Sequence, residues 1–552
     1  MLSEELKKIV KGEVMTDDQS LQKYSRDASL FEVRPEVVVV PKDVEDIKQV
    51  VKFVTSAKKK NKNISITPRS AGTDMTGGPL NESIILDLNR HLTRVREVGD
   101  GFAVTEPGVF YRDFEAETLR SDQLMPSYPA SREICTVGGM VANNAGGEKT
   151  LAYGKTEDFV MELNVVFADG NEYAVKPLSK SELEAKIKQG GFEGEVYEKI
   201  WGIIGKNEDV IKAAKPNVHK NSAGYYLWNV WNPEKKVFDL TKLIVGSQGT
   251  LGIVTQIKFR LVKTKKHDRL AVIFLKNLDV LGDLTQTVLR YKPENFESYD
   301  DQTLKMGMKY MGDVIKIMKT NAIKLMLSFI PEVWAGIRFG GIPKLILLVE
   351  FTGDDESEIN KRLADLAEDL KKYPVGVRIT KSNEEEAKYW AFRRESFNLL
   401  RHHLHGKRTA PFIDDIVVRP EFLPEFLPQL RAIMAKYPIF YTVAGHMGDG
   451  NFHIIPLVDL ADPKSKDIII NLSKEVYSLV FKFKGSMTGE HNDGIIRTPF
   501  MEQMFGPRLI ELFAEVKKAF DSQNIFNPGK KVGLPGRGSD MKYLAEHIIK
   551  HN

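Results

Sequence analysis

The sequence predicts an α+β fold divided into two or three domains, and three observations carry that prediction. At 552 residues the chain is longer than one hydrophobic core organises. Residues 37–88 read strand, helix, strand, glycine-rich loop, strand, so the loop joins two strands. Residues 265–435 read as a separate α+β unit with strands and long helices of its own.

Taken in order, residues 1–35 read as one or two short helices. Val37-Val38-Val39-Val40 is a β-branched run closed by Pro41, hence a strand. From Asp43 to Lys58, Val44, Ile47, Val50, Val51 and Val54 recur at helical spacing, with Asp43 placed to cap the N-terminus. Ile64-Ser65-Ile66 and Ile84-Ile85-Leu86-Asp87-Leu88 read as strands. Between them lies Pro68 to Gly78, PRSAGTDMTGG. Small residues there let the backbone fold back and aim several N–H groups at one point, which makes an anion nest; an ordinary glycine-containing loop is the alternative. A nicotinamide-binding unit would place Gly-x-Gly-x-x-Gly between a strand and a helix, and no such run is present.

Val104-Thr-Glu-Pro-Gly-Val109 leads into a helix over Tyr111–Leu119. Thr136 to Gly147, TVGGMVANNAGG, is the densest glycine and alanine run of the chain, suited to close approach of backbone or of a large flat ligand. Residues 160–178 predict a β-hairpin turning at Asp169-Gly170, and a helical, polar stretch runs to Lys220. After Asn221–Tyr225 a strand is expected that ends in Gly246–Val254. Further on, strands are predicted at Leu270–Leu275 and Leu345–Glu350 and helices at Glu356–Lys372 and Glu384–Leu404. Met306–Phe339 is rich in methionine and carries Lys309, Lys316, Lys319, Lys324 and Arg338. It reads either as core or, within segment 303–340, as a basic amphipathic surface for a membrane or a redox partner.

Composition excludes several classes. A hydrophobic content of 42% with 28% charged residues is that of an ordinary globular protein, and a net charge of +4 is too small to imply nucleic acid. The single cysteine, Cys135, rules out disulfides within the chain and any iron–sulfur cluster held by this chain alone. The N-terminus lacks the apolar core of a secretory signal and no window reaches the ~18 apolar residues of a membrane span. These features predict a soluble or peripheral, cytoplasmic protein.

The C-terminal third holds Gly445-His446-Met-Gly-Asp-Gly-Asn451-Phe-His453 and Gly489-Glu490-His491-Asn492-Asp493-Gly494. Two imidazoles and a carboxylate can form an open three-ligand site for Zn²⁺ or Mn²⁺; packed or solvated histidines are the bland alternative. The spacing of His446 and His453 fits two helical turns or a face reversal along a bulged strand.

The runs PRSAGTDMTGG, TEPGV, TVGGMVANNAGG and GSQGTLGIVT, in this order, resemble the flavin-binding half of the vanillyl-alcohol-oxidase superfamily. Within it they resemble the D-lactate, glycolate and D-2-hydroxyglutarate dehydrogenase branch, from about Pro35 to Lys530. The resemblance implies a PCMH-type two-part FAD-binding domain over 1–265, a substrate (cap) domain over 266–435, and a metal and catalytic segment over 436–552. The last two would form a FAD-linked oxidase C-terminal domain of antiparallel sheet with helices. It places Arg69, Ser70, Ala71, Gly72 and Thr73 on the FAD phosphates, with Asp74 and Thr76 close by. Pro107, Thr136, Gly139, Asn143 and Gly146 would lie along the cofactor, Ile253 and Val254 near the adenine, and Asn527 would complete the set. No histidine lies between His91 and His219, so the FAD is expected to be non-covalent.

The same resemblance makes His446, His453 and Glu490 ligands of a divalent metal, zinc or manganese, and His491 the general base. Asn451 would help hold the substrate, and Arg393, in Trp390-Ala-Phe-Arg393, would clamp its carboxylate; a surface helix residue is the alternative for Arg393. The activity implied is oxidation of a D-2-hydroxyacid, D-lactate foremost, with electrons passed to a quinone, a cytochrome or an iron–sulfur protein. A glycolate-oxidase-like subunit that needs an iron–sulfur partner, a flavin-binding protein without turnover, and a sugar or alcohol oxidase are the rivals. A homodimer and a peripheral membrane contact stay open.

Three departures from the family pattern stand out. Asn492 replaces the glycine usual after Glu-His. Pro411-Phe-Ile-Asp-Asp415 lacks the lysine that would meet a distal carboxylate, although Lys407 and Arg408 lie nearby. The Pro411–Asp415 segment and the run from Gly489 to Lys530 are most like large fused flavin and iron–sulfur oxidoreductases, whose cluster domain this chain is expected to lack.

Overall fold

The computed structural model describes residues 2–309, 341–403, 408–533 and 540–550. Most of the 303–340 segment, and with it the choice between core and surface, lies outside the described residues.

The first half is built on two small sheets. In one the strands run in the order Glu13–Met15, Val37–Val40, Ile84–Asp87, Ile66–Arg69, and the last three are mutually parallel. The helix Val44–Ala57 makes the first crossover, and its Asp46 N–H donates to Asp43 Oδ1 at 3.1 Å, the cap read from the sequence. Its buried Ile47, Val50, Val51 and Val54 share a core with Val37, Val39, Ile66, Ile84 and Leu86. Parallel strands covered on both faces explain the uninterrupted apolar runs. The glycine-rich loop therefore leaves the C-terminal end of a parallel strand, where α/β sheets place ligands.

The second sheet, Val95–Gly99, Phe102–Thr105, Ile253–Arg260, Val160–Val166, Glu172–Val175, is antiparallel throughout. Its last two strands are the predicted hairpin, with Gly170 at φ +76° in the turn. The strand expected to end in Gly246–Val254 is not formed ahead of Ile253. Asp239 Oδ1 accepts the Thr241 N–H and hydroxyl, which starts a helical turn over Thr241–Ile244 instead.

A larger antiparallel sheet follows, ordered Val375–Ile379, His267–Leu275, Leu345–Gly353, Asn295–Asp300, Phe440–His446, Asn451–Val458, Arg408–Thr409, with Ile416–Val417 also paired to Asn451–Val458. Segments 266–435 and 436–552 thus share one sheet. Ile273, Leu347 and Val349 pack on one side beneath helices that include Glu356–Leu370, while Val272, Ile346 and Leu348 meet Tyr389, Trp390 and Phe392 on the other.

The chain end returns to the first half. Phe526 bridges to Ile66, and the Asn527 N–H donates to the Ile66 carbonyl at 2.8 Å. Buried Asp521 sets this return by accepting from Lys517 Nζ (2.6 Å), Ile525 N (2.9 Å) and Phe526 N (2.8 Å). Asp521→Ala removes the charge partner of the buried Lys517 ammonium, which keeps only the carbonyls of Thr250 and Phe526, and leaves two N–H groups unmatched. A loss of about 3–5 kcal/mol in urea unfolding is expected; a loss under about 1 kcal/mol would show that the return is held elsewhere.

Candidate functional site

Two segments of the first half, the loop after Arg69 and residues 136–143, meet on one half-buried face. In the loop after Arg69, the N–H groups of Ser70, Ala71, Gly72 and Thr73 have no acceptor among the described residues, and these residues are only half-buried. Asp74 holds the loop in shape: Oδ2 accepts from Thr76 N (3.0 Å), Thr76 Oγ1 (2.6 Å) and Gly78 N (2.8 Å), and Oδ1 from Asn143 Nδ2 (2.8 Å). Thr136 Oγ1 donates to Ser70 Oγ at 2.8 Å, and a Cβ on Gly139 would stand 3.3 Å from the Ser70 Cβ. The result is a half-buried face where glycine permits close packing and backbone donors stay unpaired, which suits a diphosphate joined to flat rings.

Several expected cofactor residues sit behind this surface rather than on it. The Arg69 guanidinium donates to the carbonyls of Tyr24 (3.1 Å) and Arg26 (2.7 Å), lies over the Tyr24 ring and leaves no room for a Cβ at Gly72. Its charge supports the loop from below, in place of the phosphate contact expected of its side chain. Asn527 is buried: its Nδ2 donates to the carbonyls of Gly78 (2.9 Å) and Gln248 (2.7 Å), and its Oδ1 accepts from Thr67 (2.9 Å). Pro107 accepts from Gly138 N at 2.9 Å, and Gly146 is closed off by Thr150. Ile253 is core, with Val254 half-buried beside it.

The histidine runs form a second focus. His446 ends one strand and His453 lies in the next, with Ala444 opposite His453 and His446 opposite Asn451. A tight hairpin, with Gly450 at φ +66°, therefore brings the two imidazoles onto one face 5.1 Å apart, in place of the helical turns or bulged strand expected from the spacing. Glu490 and His491 arrive on a loop whose N–H groups both donate to Asp415 Oδ2, at 2.9 and 2.8 Å. Glu490 Oε1 then lies 2.7 Å from His446 Nε2 and 3.9 Å from His453 Nε2. One donor atom from each of His446, His453 and Glu490 lies within 4.8 Å of the others, and so do donors of Asp414, His453 and His491. Either trio could hold a metal ion.

Arg393 lies inside the fold, its Nε and Nη2 both 2.9 Å from Glu297, which also stands 2.5 Å from His446 Nδ1. This overturns the surface-helix alternative. Asn451 is fully buried; its Nδ2 donates to Asp415 Oδ1 at 3.0 Å, while its Oδ1 has no partner among the described residues.

Sequence reading alone missed Lys220, Glu297, Asp414, Asp415 and Asp449. Lys220 is fully buried, 2.9 Å from Glu490, 3.1 Å from Asp449 and 3.1 Å from the Gly147 carbonyl. Asp449 meets His219 as well. A local signal was carried by the Asp414-Asp415 pair, in an acidic run noted for its missing lysine, and by Asp449, inside the run from Gly445 to His453. Burial drives the acids toward neutrality, yet Lys220 and His446 hold Glu490 well below the usual carboxylate range. Burial likewise pulls His446 down, and Glu297 with Glu490 outweighs it to raise the imidazole to about 9. For His491 the carboxylates of Asp415 and Asp414 overcome burial in the same way, again to about 9.

The two foci touch. Asn492 Nδ2 donates to the carbonyls of Gly246 (2.9 Å) and Asn143 (3.1 Å), and Lys220 joins Gly147 to Glu490.

Comparison with known proteins agrees with this architecture. The family model for an FAD binding domain matches residues 35–175, and that for the C-terminal domain of FAD linked oxidases matches residues 264–531. A D-2-hydroxyglutarate dehydrogenase of Escherichia coli (strain K12) is 26% identical over 98% of this chain and 52% of its own length. The chain thus spans about half the length of the first such relatives. The glycolate oxidase subunit GlcD of Bacillus subtilis (strain 168) is 26% identical over 93% of both chains. A D-lactate dehydrogenase of Archaeoglobus fulgidus is 26% identical over 90% of this chain and 91% of its own. Among solved structures, p-cresol methylhydroxylase with substrate bound superposes with a TM-score of 0.65 at 17% identity over 94% of each chain. A 4-ethylphenol oxidase from Gulosibacter chungangensis gives 0.65 at 16% over 95% of each. The fold is therefore the PCMH-type FAD-binding fold with a FAD-linked oxidase C-terminal domain.

Asn492 adopts φ +74°, the left-handed conformation that glycine takes without strain. Asn492→Gly keeps that conformation and loses three side-chain hydrogen bonds, the two from Nδ2 and the one that Oδ1 accepts from the Asp493 N–H, for about 2–4 kcal/mol. Asn492→Ala loses the same bonds and adds about 1–2 kcal/mol of backbone strain. Thermal unfolding should rank wild type above glycine above alanine; equal midpoints for the two variants would contradict this account of the turn.

Proposed function

The chain is built from the FAD-binding and C-terminal domains of the FAD-linked oxidases, and from that premise we propose that it oxidises a D-2-hydroxyacid to the 2-keto acid. The observation that carries this reading is the contact between the two foci: the loop bearing Glu490 and His491 is hydrogen-bonded, through Asn492 and Lys220, to the glycine-rich segment that meets the loop after Arg69. Proton-handling groups thereby adjoin the surface that suits a flavin. The names of the relatives support the same class of substrate.

FAD, when bound, supplies the two-electron acceptor, and a divalent cation, when bound, supplies a Lewis acid that makes the substrate hydroxyl easier to deprotonate. Ser70 to Thr73 would hold the diphosphate through backbone N–H groups. His446, His453 and Glu490 would hold zinc or manganese, replacing the proton on His446 and sharing Glu490 with Lys220. In its neutral form His491 would accept the hydroxyl proton at Nε2, so the step gains as pH rises toward about 9, and the charge that results is balanced by Asp414 and Asp415. Arg393 would bind the substrate carboxylate while contacting Glu297, and Asn451 would keep its unpaired oxygen toward the site.

D-lactate and D-2-hydroxyglutarate are the two substrates to compare. The absence of a lysine in Pro411–Asp415 favours the smaller acid, and the first relatives favour the diacid. Because those relatives are about twice as long, a second reading assigns the electron exit to a separate iron–sulfur partner, as the name of a glycolate oxidase subunit suggests. Among the described residues no helix is long and apolar enough to cross a membrane.

The purified protein should show a flavin absorption band that bleaches anaerobically with one or both D-acids and not with L-lactate. A flavin-loaded protein that no 2-hydroxyacid bleaches would overturn the proposal. Turnover with an artificial dye separates a self-sufficient enzyme from a subunit that needs its partner. His491→Gln should slow bleaching by roughly 10²–10⁴-fold without loss of flavin. Chelation should abolish bleaching and added Zn²⁺ or Mn²⁺ restore it; activity that survives exhaustive chelation would assign the histidines a structural role.

A further inference from the structure

We propose that Asp414 is a positioning residue that orients two histidines at once, His453 and His491. The inference rests on the roles proposed above for those two rings. Asp414 is almost completely buried, and its carboxylate oxygens divide between them: Oδ1 lies 3.1 Å from His453 Nδ1 and Oδ2 lies 3.2 Å from His491 Nδ1. The two rings lie nearly parallel, 24° between planes and 5.3 Å between centres, so one carboxylate spans their edges.

A ring nitrogen that faces a carboxylate carries the hydrogen, which leaves the opposite nitrogen for other work. For His453 that opposite atom, Nε2, is the one turned toward Glu490. For His491 it is the atom that would take the substrate proton. Asp414 Oδ1 meets His453 in a hydrogen bond, whereas Nδ1 of His491 has no hydrogen bond of good geometry among the described residues and faces Asp414 Oδ2 at an ion-pair distance. Asp414 is itself fixed from behind. Arg497, fully buried, donates through Nη2 to the Asp414 carbonyl (2.6 Å), through Nη1 to the Asn492 carbonyl (2.8 Å) and through Nε to the Met487 carbonyl (3.0 Å). The carboxylate and the loop carrying Glu490 and His491 therefore share one anchor.

Asp414 also belongs to a trio whose ligand atoms are close enough to hold a second cation. That arrangement would make it a ligand, not a positioner, and the experiment separates the two.

The test uses the full-length flavoprotein, with Mn²⁺ binding followed by electron paramagnetic resonance. Wild type should bind one Mn²⁺, and Asp414→Asn should bind it about 10- to 100-fold more weakly with flavin content unchanged. Affinity within twofold of wild type would overturn the proposal, as would a second Mn²⁺ in wild type that Asp414→Asn loses. If that variant does not fold, wild type decides alone. In histidine-¹⁵N spectra, the signals lost in His453→Gln and His491→Gln should both show hydrogen on Nδ1, with and without zinc. An Nδ1 lacking hydrogen in either ring refutes the assignment. Neither readout needs turnover, so a protein that oxidises no 2-hydroxyacid would leave the Asp414 result standing on its own.

Discussion

The structure depends on one constraint: a set of charges buried where the two halves of the chain meet. Glu297, Asp414, Asp415, Asp449 and Glu490 are all withdrawn from water, and each is matched by Lys220, Arg393, a histidine or backbone N–H groups. An unmatched carboxylate in such a place costs several kcal/mol, so every partner must be delivered at the right spot. That requirement explains why the partners come from distant parts of the chain. Lys220 comes from a loop of the first half, Glu297 and His446 from neighbouring strands of the large sheet, and Glu490 from a turn near the end.

The surrounding fold supplies the rigidity this arrangement needs. Glu297 stands opposite His446 in a sheet whose neighbouring strands are buried on both faces, so that pairing is fixed by register. The loop that carries Glu490 and His491 has no sheet to fix it. Its position comes from Asp415 beneath its N–H groups, Arg497 across its carbonyls and Asn492 reaching into the first half. Polar networks of this kind hold one geometry when every member is satisfied. The loop after Arg69 obeys the opposite logic. Its N–H groups are left without protein acceptors on a half-exposed surface, which water tolerates and an anion can exploit.

Much of this was legible in the order of residues. The parallel strands, the capped helix Val44–Ala57 and the hairpin at Gly170 follow from periodicity and turn chemistry that act within a few residues. The two histidine runs marked the second focus, because glycines and ionisable groups were adjacent in sequence. What was not legible depends on contacts across hundreds of positions. Glu297 sits in an ordinary strand and Lys220 ends an ordinary polar stretch; neither carries a local sign of its partner. The family resemblance implied Arg69 as a phosphate ligand, and the carbonyls of Tyr24 and Arg26 capture its side chain from a segment some forty residues earlier.

The sequence by itself determined the elements, the glycine-lined loop and the kinds of ionisable side chain gathered in its last third, since small residues, β-branched runs and imidazoles act through local chemistry. The tertiary structure decided which charge faces which. It turned His446 and His453 to one side through a hairpin, set Asp414 between two rings and placed Lys220 against Glu490. Those choices follow from the cost of leaving any of these groups unpaired in the interior, a cost that exists only once the chain has closed around them.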